Sequence, residues 1–299
     1  MPRRTPASDA PRSDADLCAG IARAHGRTFS LAAGLLPDDK RRGAFALYAF
    51  CRVADDIVDD AGGVGPGPAV RLAGHRHSLH EALAGRASGP VLREVAWTVD
   101  RFGVPPSALN ELLDGVTRDT EQVHLADWAE LRAYCEGVAG SVGEMCTHVF
   151  GVPGGRHVRA TAVRRGRALG VAMQLTNILR DIGEDARAGR CYLAGDELAE
   201  AGFTRAEVLE LHDLARDARW RAFMRSQIAR ARQLYASAHQ GIPLLAPDAR
   251  ACATACARGY ALILDAIERQ AYDTIGVRAV VPSWRKAQLL MSVMRARPA

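Results

Sequence analysis

The sequence predicts an all-α protein with one large domain, and three observations lead to that expectation. Apolar residues recur with helical period along nearly the whole chain, whereas strand patterns are weak throughout. Clusters of glycine and proline interrupt this period at intervals typical of helix lengths. A chain of 299 residues with 48% hydrophobic content can bury a single large core, and no internal linker divides it.

The helical pattern falls into segments that end at these glycine and proline clusters. We expect helices at residues 17–33, 38–60, 69–85, 90–102, 106–119, 127–150, 155–186, 195–199, 204–211, 219–240, 247–271 and 282–296. Residues 1–16 are rich in Pro, Ser, Asp and Arg, so we expect a disordered tail there and a single domain at 17–297. The glycine- and proline-rich stretch 61–68 is either a passive connector or a lid over a neighbouring site.

Composition excludes several classes of protein. No run approaches the roughly 18 consecutive apolar residues of a membrane span, and no basic run interleaved with aromatic residues suggests nucleic-acid binding. The seven cysteines include no CxxC pair and lie mostly in apolar helical segments, which fits a reducing cytoplasm. The net charge is +5, and Lys40 and Lys286 are the only lysines. The abundant arginines suit phosphate oxygens and would also favour an anionic membrane surface.

An acidic cluster in the segment 155–186 carries the strongest functional signal. Gln174, Asn177, Asp181 and Asp185 fall on one narrow stripe of the helical wheel. That stripe is bordered on both sides by apolar residues between positions 169 and 179, unlike the pattern of a surface helix. We therefore expect these polar side chains to face the protein interior.

A second acidic cluster lies about 120 residues earlier. Asp55 and Asp59 are one helical turn apart and share a face with Tyr48 and Arg52, an amphipathic pattern that a solvated face would explain equally well. Buried unpaired carboxylates cost several kcal/mol each, so two such groups favour a bound cation. Magnesium, with manganese as a substitute, takes oxygen ligands and typically bridges carboxylates to substrate phosphates. The implied ligand is a diphosphate.

A third segment, residues 134–144, holds three glycines within an otherwise helical run. Each glycine costs about 1 kcal/mol relative to alanine in a helix. Tight helix packing or a kink would explain the segment. An equally good explanation is a helix hollowed to admit a long apolar chain, with Tyr134 and Val138 one turn apart on its wall.

The stretches 47–60, 134–144 and 169–192 resemble the signature segments of the squalene/phytoene synthase family. The likeness extends from about His25 to Lys286, and residues 272–286 resemble the bacterial phytoene synthases. This resemblance implies an isoprenoid synthase fold, a helical bundle around a central cavity. It also implies Mg²⁺-dependent head-to-head condensation of two allylic prenyl diphosphates.

The resemblance also implies roles for individual residues. The metal ligands would be Asp55, Asp59, Asn177, Asp181 and Asp185. Catalytic roles would fall to Arg52, Tyr134 and Tyr260, although buried tyrosines with satisfied hydroxyls are as often structural. Substrate-binding positions would be His25, Thr28, Tyr48, Arg52, Val138, Gln174, Arg180, Arg190, Tyr192 and Arg278. Two positions depart from the family pattern: Ala194 replaces a usual proline, and Val277 replaces the first of two arginines, which leaves the role of Arg278 open.

Several activities share this chemistry. We expect condensation of two geranylgeranyl diphosphates to phytoene through a cyclopropylcarbinyl diphosphate. The alternative is a squalene, dehydrosqualene or presqualene diphosphate synthase acting on farnesyl diphosphate, with NADPH required only for squalene. A class I terpene cyclase and a non-catalytic assembly partner are further alternatives. We expect a cytoplasmic monomer or weak homodimer, peripheral on the inner face of the membrane because the product is too apolar for water.

Overall fold

The computed structural model describes residues 13–59, 65–211 and 214–295, and no strand occurs among them. Their helices are α1 (Asp14–His25), α2 (Arg27–Ala33), α3 (Asp38–Asp59), α4 (Pro66–Leu83), α5 (Pro90–Phe102), α6 (Pro106–Thr117), α7 (Trp128–Cys135), α8 (Ser141–Phe150), α9 (Arg156–Arg187), α10 (Gly195–Glu200), α11 (Arg205–Leu209), α12 (Ala218–His239), α13 (Pro247–Arg269) and α14 (Ser283–Arg295). The all-α prediction is confirmed.

Most boundaries lie within a few residues of the prediction, and the exceptions have local causes. The segment expected at 17–33 breaks at Gly26, where the ring of Tyr48 occupies the space of a β-carbon. Helix α4 begins at Pro66, earlier than expected, because proline is compatible with a first helical turn. The stretch 61–68 therefore supplies that turn, while its residues 61–64 lie outside the described part.

The predicted N-terminal tail also overlaps the described structure. Residues 1–12 lie outside the described residues, whereas 14–16 form the first turn of α1. The side chain of Ser13 caps this turn by accepting a hydrogen bond from the backbone N–H of Asp16 at 3.2 Å. The part of the tail prediction that covers residues 14–16 is therefore wrong.

Helix α9 lies at the centre of the bundle and packs against α8, α12 and α13. One cluster of buried apolar side chains fills the space among α1, α3, α4, α5, α6 and α8. A second joins α7 and the C-terminal half of α9 to α12 and the end of α13. None of the described helices combines the length and apolar character needed to cross a bilayer.

The glycine-rich segment brings helix backbones into direct contact. Between α7 and α8 the chain forms a π-helical turn, Glu136–Gly140, a rare conformation that occurs mostly as a single turn within a helix. A β-carbon added to Gly170 would lie 2.0 Å from the carbonyl oxygen of Ala139, and one added to Gly143 would lie 2.1 Å from that of Gly166. The tight packing expected for this segment is confirmed.

Candidate active site

A polar cleft opens between α3, the C-terminal half of α9, α13 and the loop that precedes α14. Its walls carry most of the site residues that the sequence predicted: His25, Thr28, Tyr48, Arg52, Asp55, Asp59, Tyr134, Gln174, Asn177, Arg180, Asp181, Asp185, Tyr192, Tyr260 and Arg278. The fold thus brings together side chains that are up to 253 positions apart in the chain, from His25 to Arg278.

Two predicted residues lie elsewhere. Arg190 lies beside the cleft and donates a hydrogen bond to Asp59 at 3.4 Å. Val138 does not line the cleft; its side chain lies against Gly115 of α6. The expectation that Val138 shares a cavity wall with Tyr134 is wrong, because the π-helical turn changes the register after Cys135.

The carboxylates of α3 lie near the end of that helix and face the cleft. Asp55 is surrounded by the cleft walls, and this burial raises the pKa of its carboxyl to about 7. The guanidinium of Arg52 lies one turn earlier and pairs with Asp56. Asp55 therefore remains available to a ligand in the cleft, whereas Asp59 shares its carboxylate with Arg190 at 3.4 Å.

The carboxylates of α9 form the opposing wall. Burial raises the pKa of Asp185 to about 7. Burial also acts to raise the pKa of Asp181, but hydrogen bonds from Arg180 at 2.7 Å and Arg278 at 2.8 Å outweigh it and lower that pKa. At neutral pH this wall presents one firmly ionised carboxylate beside one that is poised to ionise.

Arg278 belongs to the site even though Val277 precedes it. Its guanidinium lies 2.8 Å from Asp181 and 3.3 Å from Glu184, whereas Val277 is exposed. The loop that carries Arg278 crosses α9 at Gly183. This close approach places the guanidinium over the acidic turn.

Sequence reasoning missed Asp119, which holds two predicted aromatic residues together. Tyr134 and Tyr192 stack with ring centroids 5.1 Å apart, and each hydroxyl donates a hydrogen bond of 3.0 Å to the Asp119 carboxylate. Burial raises the pKa of Asp119 to about 6. The residue lies in a 3-10 turn after α6 within a polar stretch, so its sequence context resembles that of an ordinary surface turn.

The cleft presents the oxygen donors that a hard divalent cation binds. Among the described residues, no three acidic, histidine or cysteine side chains are placed to hold one ion by themselves. The buried Oδ1 of Asn177 and the Nε atoms of Arg52 and Arg190 have no hydrogen-bond partner. The free acceptor atom of Asn177 and the carboxylates of the two walls fit a magnesium-type ion, and the free arginine donors fit the oxygen atoms of an anion bound beside it.

An apolar cavity continues inward from the polar cleft along α9. Its lining extends along α9 from Asn177 to Ala162, which corresponds to about 22 Å of helix. Ala139, Val142 and Gly143 form part of another wall. The glycine-rich segment therefore both packs tightly and borders a space for an apolar chain, as the second interpretation expected.

Comparison with known proteins agrees with this geometry. The family model described as squalene/phytoene synthase matches residues 22–285. The chain is 38% identical to a phytoene synthase of Arthrospira platensis over 98% of this chain and 96% of the relative. It is 38% identical to a phytoene synthase of Thermus thermophilus over 90% and 89%.

A solved structure shows the same architecture. The crystal structure of a dehydrosqualene synthase in complex with ligand aligns with a TM-score of 0.84 at 30% identity, covering 94% of this chain and 95% of the other. The chain belongs to the squalene/phytoene synthase family of prenyltransferases.

Proposed function

We propose that the protein joins two geranylgeranyl diphosphates head to head and converts the product to phytoene. The observation that carries this proposal is the pair of opposed carboxylate walls at the mouth of a long apolar cavity. The walls suit the diphosphate groups, and the cavity suits a hydrocarbon chain. The matching phytoene synthases support the same reaction.

Asp55, Asp59, Asn177, Asp181 and Asp185 would hold Mg²⁺, or Mn²⁺ in its place. A divalent cation supplies charge neutralisation for the departing diphosphate. The family's divalent metal-dependent chemistry supports this choice. Hard oxygen donors on two opposed helices match the preference of Mg²⁺ for carboxylates, water and substrate phosphates.

The reaction has two stages. In the first, the C–O bond of one substrate breaks, diphosphate leaves, and the allylic carbon bonds to the double bond of the second substrate. Loss of a proton gives the cyclopropylcarbinyl diphosphate. In the second stage that intermediate loses its own diphosphate, the carbon skeleton rearranges, and loss of another proton gives phytoene. This sequence consumes no reductant, so NADPH has no role.

The cationic side chains would hold diphosphate oxygens during both stages. Arg180 and Arg278 flank Asp181, and Arg52 lies beside the α3 carboxylates. His25 and Thr28 line the same cleft. Guanidinium groups form paired hydrogen bonds with phosphate oxygens, which stabilises the charge that develops as the C–O bond breaks.

The aromatic residues would act on the carbocation. Tyr48 and Tyr260 line the junction of cleft and cavity, where a ring face can stabilise passing positive charge. Tyr134 is held by Asp119, so its hydroxyl is oriented to relay a proton. The apolar walls exclude the water that would quench the cation.

The length of α9 that lines the cavity is compatible with a C20 substrate. An extended geranylgeranyl chain is about 19 Å long and a farnesyl chain about 14 Å, at about 1.2 Å per bond. The cavity follows about 22 Å of α9. A farnesyl chain also fits within this span, so synthesis of squalene or dehydrosqualene from farnesyl diphosphate is the second candidate.

The decisive experiment incubates the purified protein and Mg²⁺ with geranylgeranyl or farnesyl diphosphate, with and without NADPH. A C40 hydrocarbon formed without NADPH supports phytoene synthesis, and a C30 product moves the chain to the farnesyl branch. Asp55→Asn and Asp181→Asn should each lower diphosphate release by at least about a hundredfold. Asp38→Asn, at the exposed far end of α3, is the matched control. Absence of condensation from both substrates by folded protein would overturn the proposal.

The apolar character of the product bears on where in the cell the enzyme acts. We place the enzyme in the cytoplasm, as a monomer or weak homodimer. Because phytoene is too apolar to enter water, we also expect the enzyme to contact the inner face of the membrane. Among the described residues no helix spans a bilayer, so this contact would be peripheral.

A further inference from the structure

Helix α14 exposes an apolar stripe to solvent. Trp284, Met291 and Met294 are 62%, 50% and 56% exposed, and their spacing places them within about 80° of one another on the helix. The other side of α14 packs inward through the buried Val293 and through Leu289, which lies against Gly259 of α13. The stripe is thus not needed to hold the helix in place.

The stripe is continuous with the rim of the active-site cleft. In the loop before α14, Val277 and Val280 are 61% and 69% exposed. Val280 also lines the cleft, as does Lys286 on the first turn of α14. We call Val277, Val280, Trp284, Met291 and Met294 the C-terminal patch.

The charged residues in the segment that carries the C-terminal patch are all basic. Residues 276–295 contain Arg278, Arg285, Lys286 and Arg295 and no acidic residue. Arg278 is engaged with Asp181 inside the cleft. Arg285 and Arg295 lie beside the apolar stripe along α14, Lys286 lies at the rim of the cleft, and Arg285 lies over the Trp284 ring at 5.4 Å. An exposed apolar stripe with basic flanks is typical of helices that lie in a membrane interface.

We propose that the C-terminal patch docks on an anionic lipid bilayer and sets the mouth of the active-site cleft against the membrane. The consequence for substrate entry and product release rests on the proposed function, whereas the docking itself does not. A second copy of the chain fits less well, because a two-fold interface would bring the same cations face to face. Anionic headgroups complement those cations, and the interface accommodates tryptophan and methionine side chains.

The test uses Trp284 as its own reporter. Trp284 is exposed, whereas Trp220 is buried and Trp97 and Trp128 are partly buried. Vesicles of phosphatidylcholine and phosphatidylglycerol should co-sediment with the full chain and shift its fluorescence to shorter wavelength. Vesicles of phosphatidylcholine alone should bind at least about fivefold more weakly, since each basic residue near an anionic surface adds about that factor.

Two sets of variants separate the apolar and basic contributions. Trp284→Ser with Met291→Ser and Met294→Ser should abolish co-sedimentation, and Arg285→Glu with Arg295→Glu should weaken it at least about tenfold. Val158→Ser is the matched control, because Val158 is 36% exposed but lies 23 residues before Asp181 on α9, about 35 Å away. Circular dichroism of each variant confirms that it folds.

The outcomes are distinct. Undiminished vesicle binding by the serine variant, or equal binding to neutral vesicles, would overturn the proposal. A dimer that the serine variant disrupts, in a protein that binds no vesicles, would assign the patch to a second copy and also overturn it. Diphosphate release in detergent micelles should be the same for the serine variant and the wild type. If no hydrocarbon forms while vesicle binding persists, the proposed function fails and the docking stands.

Discussion

The α-carbon of Gly183 lies directly beneath the carbonyl group of Ile275: a β-carbon there would come within 2.3 Å of that oxygen. The backbone N–H of Gly183 donates to the carbonyl of Thr274 at 3.0 Å, and Arg187 donates to that of Ile275 at 2.8 Å. The loop is therefore fastened to α9 midway between Asp181 and Asp185. Three residues later, Arg278 reaches Asp181.

Replacing Gly183 with alanine should detach this loop. The new β-carbon would overlap backbone atoms, which cannot move aside as a flexible side chain would, so we expect destabilisation of about 1–3 kcal/mol. Displacement of Arg278 should also lower kcat by at least about tenfold, because Asp181 would lose one of its two cationic partners. Thermal unfolding and steady-state kinetics measure the two effects.

Gly74→Ala provides the matched control for that prediction. Gly74 lies within α4 with no atom within 4 Å of an added β-carbon, so alanine should leave activity unchanged and stabilise the helix by up to about 1 kcal/mol. If Gly183→Ala behaves like Gly74→Ala, the loop does not depend on this close approach.

The carboxylate of Asp119 should matter for metal use as well as for the tyrosines. It lies near enough to Asp55 and Asp185 to raise the pKa of both carboxyls, so it adds to the negative potential of the cleft. Asp119→Asn keeps hydrogen-bonding atoms beside both tyrosines but removes the charge. We expect the Mg²⁺ concentration for half-maximal activity to rise several-fold and kcat to fall by at least about tenfold.

Tyr134→Phe separates the two effects of Asp119. It removes one hydroxyl that donates to the carboxylate and leaves the charge in place, so kcat should fall while the Mg²⁺ requirement stays constant. An Asp119→Asn enzyme with an unchanged Mg²⁺ requirement would show that its charge does not act on the cleft.

The helices and the two carboxylate walls could be predicted from sequence because their signals are periodic. Asp55 and Asp59, and likewise Asp181 and Asp185, recur four residues apart within long helical segments, so each pair projects from one face. The helical period therefore predicts which side chains share one wall of the cleft. The resemblance to a family supplied the expectation that the two walls face each other.

Helical periodicity could not predict where the side chains of Asp119 and Val138 lie, and the physical reason differs between the two. Asp119 is in a 3-10 turn, where a single polar residue carries no period that separates a buried position from an exposed one. Val138 lies within a π-helical turn, which has more residues than an α-helical turn and therefore rotates its side chains away from the face that an α-helical wheel predicts. Both features depend on tertiary contacts that a helical wheel does not include.

Magnesium should stabilise the protein more at pH 8 than at pH 6. Asp55 and Asp185 have pKa values raised to about 7, so the folded state binds their protons more tightly than the unfolded state does. Their contribution to stability is present at low pH and is lost as the pH rises through about 4 to 7. Mg²⁺ bound at these carboxyls would replace those protons, and its competition with them would end above the raised pKa values.

Melting temperatures with and without saturating Mg²⁺ at both pH values test this prediction. The increase caused by Mg²⁺ should be clearly larger at pH 8. An Asp55→Asn, Asp185→Asn double variant should melt with little response to Mg²⁺ at either pH. Equal increases at pH 6 and pH 8 in the wild-type protein would contradict the assignment of these carboxyls as ligands.

Filling the inner end of the apolar cavity should shift substrate preference towards shorter chains. Ala162 lies on the first third of α9 at that end, close to the connection between α12 and α13 that includes Ile242. Ala162→Leu would shorten the cavity by roughly one side chain, which obstructs a chain of about 19 Å but not one of about 14 Å. We expect the ratio of kcat/KM for geranylgeranyl over farnesyl diphosphate to fall by about 10- to 200-fold, the range typical of a steric pocket change.

Competition between the two substrates in one reaction measures this ratio directly, because the C40 and C30 hydrocarbons separate by mass. Ala186→Leu is a control for the destabilisation that a larger buried side chain causes, since Ala186 is also buried in α9 but does not line the cavity. That variant should lose activity on both substrates in proportion, if it loses any. A ratio that stays at the wild-type value in Ala162→Leu would mean that chain length is selected nearer the cleft, where Phe29 and Tyr48 stack with ring centroids 5.3 Å apart.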